Sequence, residues 1–259
     1  MATISIVAVH GLDNNSQRRI IGPGMELQRL LRSQGFGSRA ECRVRVLAGR
    51  VKVAGDVCVD PYAHFEPAGL SFTVDGEPWN YREFVYLAMS KPAGYECSRR
   101  PQYYPSVYSL LPQPLATRGV QTVGRLDQDS TGLLLLSDDG QFIHTFTSPR
   151  KRIPKVYEVT TRHKVEDAQV MALLSGVELH DDAQPVEAVA CIRLDEKRLR
   201  LTVTEGKYHL VKRMIAAAGN RVEALHRIAV GGFSLPLSLP VGHWMWLESP
   251  ELELLAQRG

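Results

Sequence analysis

The chain has 259 residues, 44% of them apolar, enough to bury one large core or two modest ones. Its net charge of +3 is only mildly basic, so any case for nucleic-acid binding has to rest on local clusters of cations. The four cysteines, Cys42, Cys58, Cys97 and Cys191, form no C-x-x-C pair, which argues against a zinc cluster or a disulfide framework, and no apolar run is long enough to span a bilayer. A reducing cytoplasm with no membrane partner is the expected setting.

The first residues read Met1-Ala2-Thr3-Ile4-Ser5-Ile6-Val7-Ala8-Val9, with no basic leader, followed by the polar, aperiodic Asn14-Asn15-Ser16-Gln17-Arg18-Arg19. Residues 1–24 are expected to be a weakly ordered extension that breaks at Gly22-Pro23-Gly24. Met25 opens the first convincing element and is a candidate natural start. Peptides from upstream of Met25, found by mass spectrometry of the native protein, would refute that.

Residues 25–78 read as a small αβ module. Leu27, Leu30 and Leu31 share one face of a helix that ends at Gly35-Phe36-Gly37. Ser38 with Glu41 is a capping-box signature for a second helix through about Leu47. Gly49-Arg50-Val51-Lys52-Val53 then alternates as a half-exposed strand, with Val57 to Val59 and Leu70 to Val74 as further short strands and Asp75-Gly76 as a turn. Arg39, Arg43, Arg45, Arg50 and Lys52 make one side basic. The order of helix, Gly-x-x-Ser-Arg helix and Gly-Arg-Val-x-Val strand resembles the S4 RNA-binding domain, which implies contact with structured RNA mainly through its phosphates. One departure is Gln28-Arg29, where many such domains carry Asp-Lys. The domain boundary is expected near Pro78-Trp79-Asn80, leaving residues 79–259 as the second domain.

That domain opens with the β-prone Phe84 to Met89, which runs into the turn Ser90-Lys91-Pro92-Ala93-Gly94-Tyr95 and leaves Lys91 at a strand end. Arg99-Arg100-Pro101-Gln102-Tyr103-Tyr104-Pro105 interleaves cations with aromatics, a composition that suits an RNA-contacting loop and equally an ordinary surface loop. The most informative stretch is Gly124-Arg125-Leu126-Asp127-Gln128-Asp129-Ser130-Thr131-Gly132, anchored by Leu133 to Leu136. The leucines are too few for a helix and predict a buried strand. The flanking glycines suit a backbone that bends sharply or is approached closely. A cation and two carboxylates on a pinned loop can carry chemistry, or can form a simple Asx-type turn.

Further on, Gln141 to Phe146 predicts an amphipathic helix, and Arg150-Lys151-Arg152 is the densest basic run in the chain. Lys155 and Tyr157 then fall on one face of a strand. Leu199 to Thr204 alternates as a strand leading into Glu205-Gly206-Lys207-Tyr208-His209-Leu210, after which Val211, Met214 and Ile215 form an apolar helix face and Lys212 and Arg213 point elsewhere. Gly231-Gly232-Phe233 starts the last strands, Trp244 and Trp246 are expected in the core, and Ser249-Pro250-Glu251 caps a terminal helix with Pro250 at its first position.

Taken together, Ser90-Lys91-Pro92, Gly124-Arg125-Leu126-Asp127, Lys155-Val156-Tyr157 and Glu205-Gly206-Lys207-Tyr208-His209 with Val211-Lys212-Arg213-Met214 resemble the pseudouridine synthases. The branch they match modifies ribosomal RNA and carries an S4 domain. Asp139-Gly140, Thr147-Ser148-Pro149-Arg150 and Leu225-His226-Arg227 with Gly231-Gly232 look most like its small-subunit members. The resemblance implies an α+β fold whose catalytic domain carries a large mixed, mainly antiparallel sheet. It implies isomerisation of a uridine in 16S rRNA, uridine 516 in rRNA numbering, with 23S rRNA or a non-catalytic assembly role as alternatives. The partner is then ribosomal RNA, free or in a small-subunit assembly intermediate, and the protein is expected to be a monomer.

By motif position the resemblance assigns catalysis to Asp127, Tyr157 and Lys212. Asp127 acts as nucleophile or base, Lys212 keeps it ionised, and Tyr157 lies against the uracil. RNA contacts are expected from Arg125, which fills the space left by the flipped base, and from Arg39, Arg43, Arg50 and Lys52 in the first module. Lys91, Arg150, Lys151, Arg152, Lys155, Lys207, His209 and Arg213 complete the expected RNA-binding set. Isomerisation gains and loses no atom, so no cofactor and no metal is expected. Leu210, where the family usually has Gln, and Ala93, where Lys is common, depart from the pattern. A deaminase would need a His/Cys zinc signature and a methyltransferase a glycine-rich loop after a strand; the sequence has neither.

Overall fold

The computed structural model describes residues 24–180 and 182–257, so the expectations for residues 1–23 lie outside the described residues. The chain forms two compact units that part between Glu83 and Phe84.

In the first unit, β1 (Met25–Glu26) leads directly into α1 (Leu27–Ser33), whose Leu27, Leu30 and Leu31 are fully buried. The α2 helix (Arg39–Leu47) starts at Ser38 with the capping box complete: Ser38 accepts from the Glu41 amide, and Glu41 accepts from the Ser38 amide. The β2 strand (Val51–Val53) buries both valines and exposes Lys52, as its alternation requires. It pairs with β3 (Asp56–Val57) and β5 (Ser71–Val74), while β4 (His64–Phe65) pairs with β1. Asp75 and Gly76, both at positive φ, turn the chain into β6 (Glu77–Asn80), which pairs antiparallel with β5. The unit therefore ends later than Pro78. Pro78 lies within an edge strand, where its missing N–H is tolerated, and Trp79 packs against the core of this unit.

The second unit is built on a nine-stranded sheet. Its first half comprises β7 (Tyr86–Lys91), α3 (Gln113–Arg118), β8 (Gln121–Thr122), β9 (Thr131–Ser137), α4 (Gly140–Thr147) and β10 (Lys155–Thr161). Then follow α5 (Asp167–Ser175), β11 (Ala190–Arg193), β12 (Arg198–Val203), α6 (Leu210–Ala217) and β13 (Val222–Val230). The chain closes with β14 (Phe233–Ser234), β15 (Trp244–Trp246) and α7 (Ser249–Ala256). The spatial order is β11-β12-β10-β13-β9-β7-β15, with β8 on β9 and β14 on β13. Every pairing is antiparallel except β9 with β13.

The leucine run is central because β9 is paired on both sides and covered on both faces, so it is continuously apolar rather than alternating. Leu133 and Leu135 pack in one cluster with Phe146 of α4 and Leu255 of α7. Trp244 and Trp246 are half-buried on the edge strand β15, with their rings T-shaped at 5.8 Å, rather than in the core. The terminal helix is capped by Glu248 through a capping box with Glu251, one residue earlier than the sequence suggests, which puts Pro250 in its second position.

Candidate active site

The Asp127 loop spans β8 to β9, and the two strands flanking β9 hold its end. Gly132 lies opposite Lys91 of β7 on one side and opposite Arg227 of β13 on the other. Its φ is +100°, and a Cβ there would stand 2.3 Å from the Arg227 carbonyl oxygen, so glycine is required by conformation and by space.

Lys91 is fully buried, and its Nζ donates to the carbonyls of Pro92, Asp127 and Ser130 at 2.9, 3.0 and 2.8 Å. Burial pulls its pKa below the usual lysine value. The expectation that Lys91 meets RNA is therefore corrected: no phosphate can reach an ammonium enclosed by backbone carbonyls. It ties down the loop from inside, helped by the Gly94 amide, which donates to the Gln128 carbonyl at 2.7 Å.

On the outer side, α6 brings its first turn to the loop. Val211, Met214 and Ile215 bury the apolar face of the helix and leave Lys212 half-exposed above Asp127. Lys212 Nζ is 2.9 Å from Asp127 Oδ2 and 2.7 Å from Asp129 Oδ1. His209, held at φ 49°, sets Nε2 3.1 Å from Asp127 Oδ1. Partial burial works against charge on Lys212, but its bonds to Asp129 and Asp127 outweigh it and raise the lysine pKa. Burial opposes ionisation of Asp129 too, and the Lys212 hydrogen bond overrides it.

Of the two roles open to the loop's carboxylates, Asp129 does more than form an Asx-type turn. The turn is closed by the Ser130 amide on the Asp127 carbonyl at 3.1 Å, and the Asp129 carboxylate is left to share Lys212. His209, expected on RNA, faces the carboxylate of Asp127 instead.

These groups edge a cavity of about 120 Å³, lined by Asp127, Lys155, Tyr157, Lys207, His209 and Arg227 among others. Tyr157 is 8% exposed and shares this lining with Lys155, as their common strand face predicts. Burial, with the charge of Arg227 adding to it, lowers the Lys155 pKa to about 8. Lys155 Nζ donates to the Ile153 carbonyl at 3.0 Å, so it is a cavity-wall group rather than a surface cation. Arg227, which the sequence reading left out of the site, is buried and donates from Nε to the Leu133 carbonyl at 2.7 Å.

Lys207 and Arg213 both meet Asp182, at 2.5 and 3.2 Å, and the Lys207 bond holds the Asp182 carboxyl below its usual pKa. Their expected RNA role is modified accordingly, since both cations already pair with Asp182, and Lys207 with Glu205 as well. Arg50 and Arg45 share Asp75 in the same way within the first unit. Arg39, Arg43 and Lys52 remain exposed there, as do Arg125, Arg150, Lys151 and Arg152 in the second unit. Leu210, at the family's usual Gln position, is buried in the cavity wall. Among the described residues there is no group of His, Cys, Asp and Glu able to hold a metal ion, and no helix long and apolar enough to cross a membrane.

The site thus sets a carboxylate, pinned by a lysine and a histidine, beside a buried tyrosine on a mainly antiparallel sheet. The RNA pseudouridylate synthase family matches residues 85–217. The chain is 38% identical over 234 residues to the RNA pseudouridine synthase YtzG of Bacillus subtilis (strain 168), covering 89% of this chain and 98% of the relative. It is 36% identical over 231 residues to ribosomal small subunit pseudouridine synthase A of Yersinia pestis, covering 88% and 97%. The protein of that name from Escherichia coli (strain K12) is 35% identical over 229 residues, covering 88% and 98%. A crystal structure of a pseudouridylate synthase, 33% identical, superposes with a TM-score of 0.64, covering 90% of this chain and all of the other. The chain belongs to the RNA pseudouridylate synthase family. It is an RNA pseudouridine synthase, an isomerase.

Proposed function

We propose that the protein isomerises one uridine of 16S rRNA to pseudouridine, at uridine 516 in rRNA numbering. The observation that carries the mechanism is the Asp127 carboxylate, held by Lys212 and His209 at the edge of a cavity walled by Tyr157. The C1′–N1 bond breaks, the uracil turns, and C1′–C5 forms; the proton leaving C5 is balanced by one gained at N1. Asp127 is the group at the sugar, as nucleophile or as base. Lys212 keeps it ionised. Tyr157 packs against the uracil.

The base has to leave its stack to enter, at a cost of a few kcal/mol. Arg125, exposed beside Asp127, is suited to brace the space left behind, and Arg150, Lys151 and Arg152 to hold the backbone. The small-subunit choice rests on the likeness to the Yersinia and Escherichia proteins, which cover most of this chain. The S4-like first unit is proposed to add affinity for structured rRNA, with the cytoplasm as its place of action.

Pseudouridine mapping of rRNA from a strain carrying only Asp127→Asn tests this reading. Loss of one 16S site is expected. Unchanged modification would refute the catalytic role, and a site lost from 23S rRNA would overturn the subunit assignment.

A further inference from the structure

Alongside the active-site cavity lies a groove of about 600 Å³, a volume typical of ligand sites, which shares Arg125 and Asp127 with it. Three tyrosines with large exposed surfaces converge on it: Tyr103 at 87%, Tyr208 at 68% and Tyr104 at 44%. Exposed aromatics gathered at one concave place mark a binding surface.

The loop that carries two of them is rigidly built. The Glu96 carboxylate accepts from the amides of Gln102, Tyr103 and Tyr104 at 3.1, 2.9 and 3.0 Å, and those bonds hold its pKa below the usual range. The Glu96 amide donates to the Pro105 carbonyl and the Val107 amide to the Glu96 carbonyl, closing the loop on itself. Arg99 at its base lies 4.4 Å from the centroid of Tyr108 and donates to the Ala116 carbonyl at 3.3 Å. Tyr103 and Tyr104 are therefore presented on a fixed backbone and lose little freedom when something stacks on them. Across the groove, Tyr208 already stacks on His209 at 3.7 Å between centroids, and His209 in turn contacts Asp127.

We propose that this groove is a stacking subsite for unpaired RNA bases flanking the target uridine, with Tyr103, Tyr104 and Tyr208 as its platforms. The inference rests on the reading of Asp127 as the group at the target nucleotide. Its occupant follows from the lining: aromatic faces accept any base, the exposed Arg125 is the cation offered to the backbone between them, and continuity with Asp127 makes the occupant the same RNA strand. Tyr208 further couples the two sites, because a base stacked on it extends the Tyr208–His209 stack that ends on the catalytic carboxylate.

The test compares the full-length protein binding two synthetic RNAs by fluorescence anisotropy. One is pentauridylate; the other has abasic residues on both sides of the central uridine. The unaltered protein is expected to prefer the first by about 5- to 150-fold, the range for one stacked base. Tyr104→Ala and Tyr208→Ala should each lose most of that preference, while Tyr104→Phe and Tyr208→Phe should keep it. The exposure of these side chains leaves the fold untouched. Equal affinity for both RNAs, no binding to either, or alanine variants that keep the full preference would overturn the subsite. Pseudouridine formation is read separately on 16S rRNA: a protein that shows the preference but forms no pseudouridine retains the groove and loses the catalytic reading.

Discussion

Lys91 is the residue on which the loop's shape depends most. Its ammonium is buried against backbone oxygens, so removing it strands polar groups that water cannot reach. Lys91→Met is expected to lower stability by about 2–4 kcal/mol. It should also reduce single-turnover pseudouridine formation by about 100-fold or more, because Asp127 is no longer held against Lys212. Urea denaturation and a rapid-quench assay check the two effects; a variant with normal rate would show that the loop is held some other way.

Lys155 gives a pH test. Its folded pKa, about 8, lies below its unfolded value, so between that pH and about 10.4 the unfolded chain binds more protons than the folded one. The cost of burying its charge is present in full below pH 8 and disappears as the pH rises through that window. The unaltered protein should therefore gain about 1–2 kcal/mol relative to Lys155→Met between about pH 7.5 and 9.5, measured by denaturation midpoints. Parallel pH curves for the two proteins would contradict the assigned environment.

At the scale of elements, the site depends on β9 and β13 lying side by side in parallel, with Gly132 against Arg227. Gly132→Ala places a methyl group into the Arg227 backbone at a positive φ. A loss of about 2–4 kcal/mol is expected, with activity falling with it, read by thermal melting and turnover. Melting at the unaltered temperature would mean that the two strands separate freely.

Much of this scale was legible in the sequence. The Ser38 and Glu41 capping box, the alternation of Val51 and Val53, the leucine run and the apolar face of Val211, Met214 and Ile215 are local patterns, and the elements follow them. Pairing is not local. Nothing near Lys91 announces that carbonyls of the Asp127 loop close around it, and nothing near Lys207 or Arg213 announces Asp182. A lone lysine or arginine in a sequence is read as solvated, and only the sheet order decides otherwise. The role of Asp129 is hidden for the same reason: its partner Lys212 is 83 residues away along the chain. The units part after Glu83 rather than near Pro78-Trp79-Asn80, because an edge strand admits Pro78.

For the whole molecule, the cations that remain exposed in the first unit are expected to contribute to RNA affinity. Each phosphate contact contributes about 0.7–0.9 to the slope of log K against log salt. Arg39→Ala, Arg43→Ala and Lys52→Ala combined in the full chain should flatten that slope for 16S rRNA by about 2–3. The rate at saturating RNA should stay unchanged, since the catalytic groups all lie in the second unit. An unaltered slope would remove the first unit from the RNA interface.

The sharing of Lys212 between Asp127 and Asp129 has a consequence for how a polyanion approaches. Two carboxylates divide a single ammonium at this corner, inside a protein whose overall balance is positive. A phosphodiester is repelled there and attracted to the arginines around it, while an uncharged ribose and base are not. A strand is therefore expected to enter sugar-first, with its phosphates kept at the rim, before any contact reads the identity of the base.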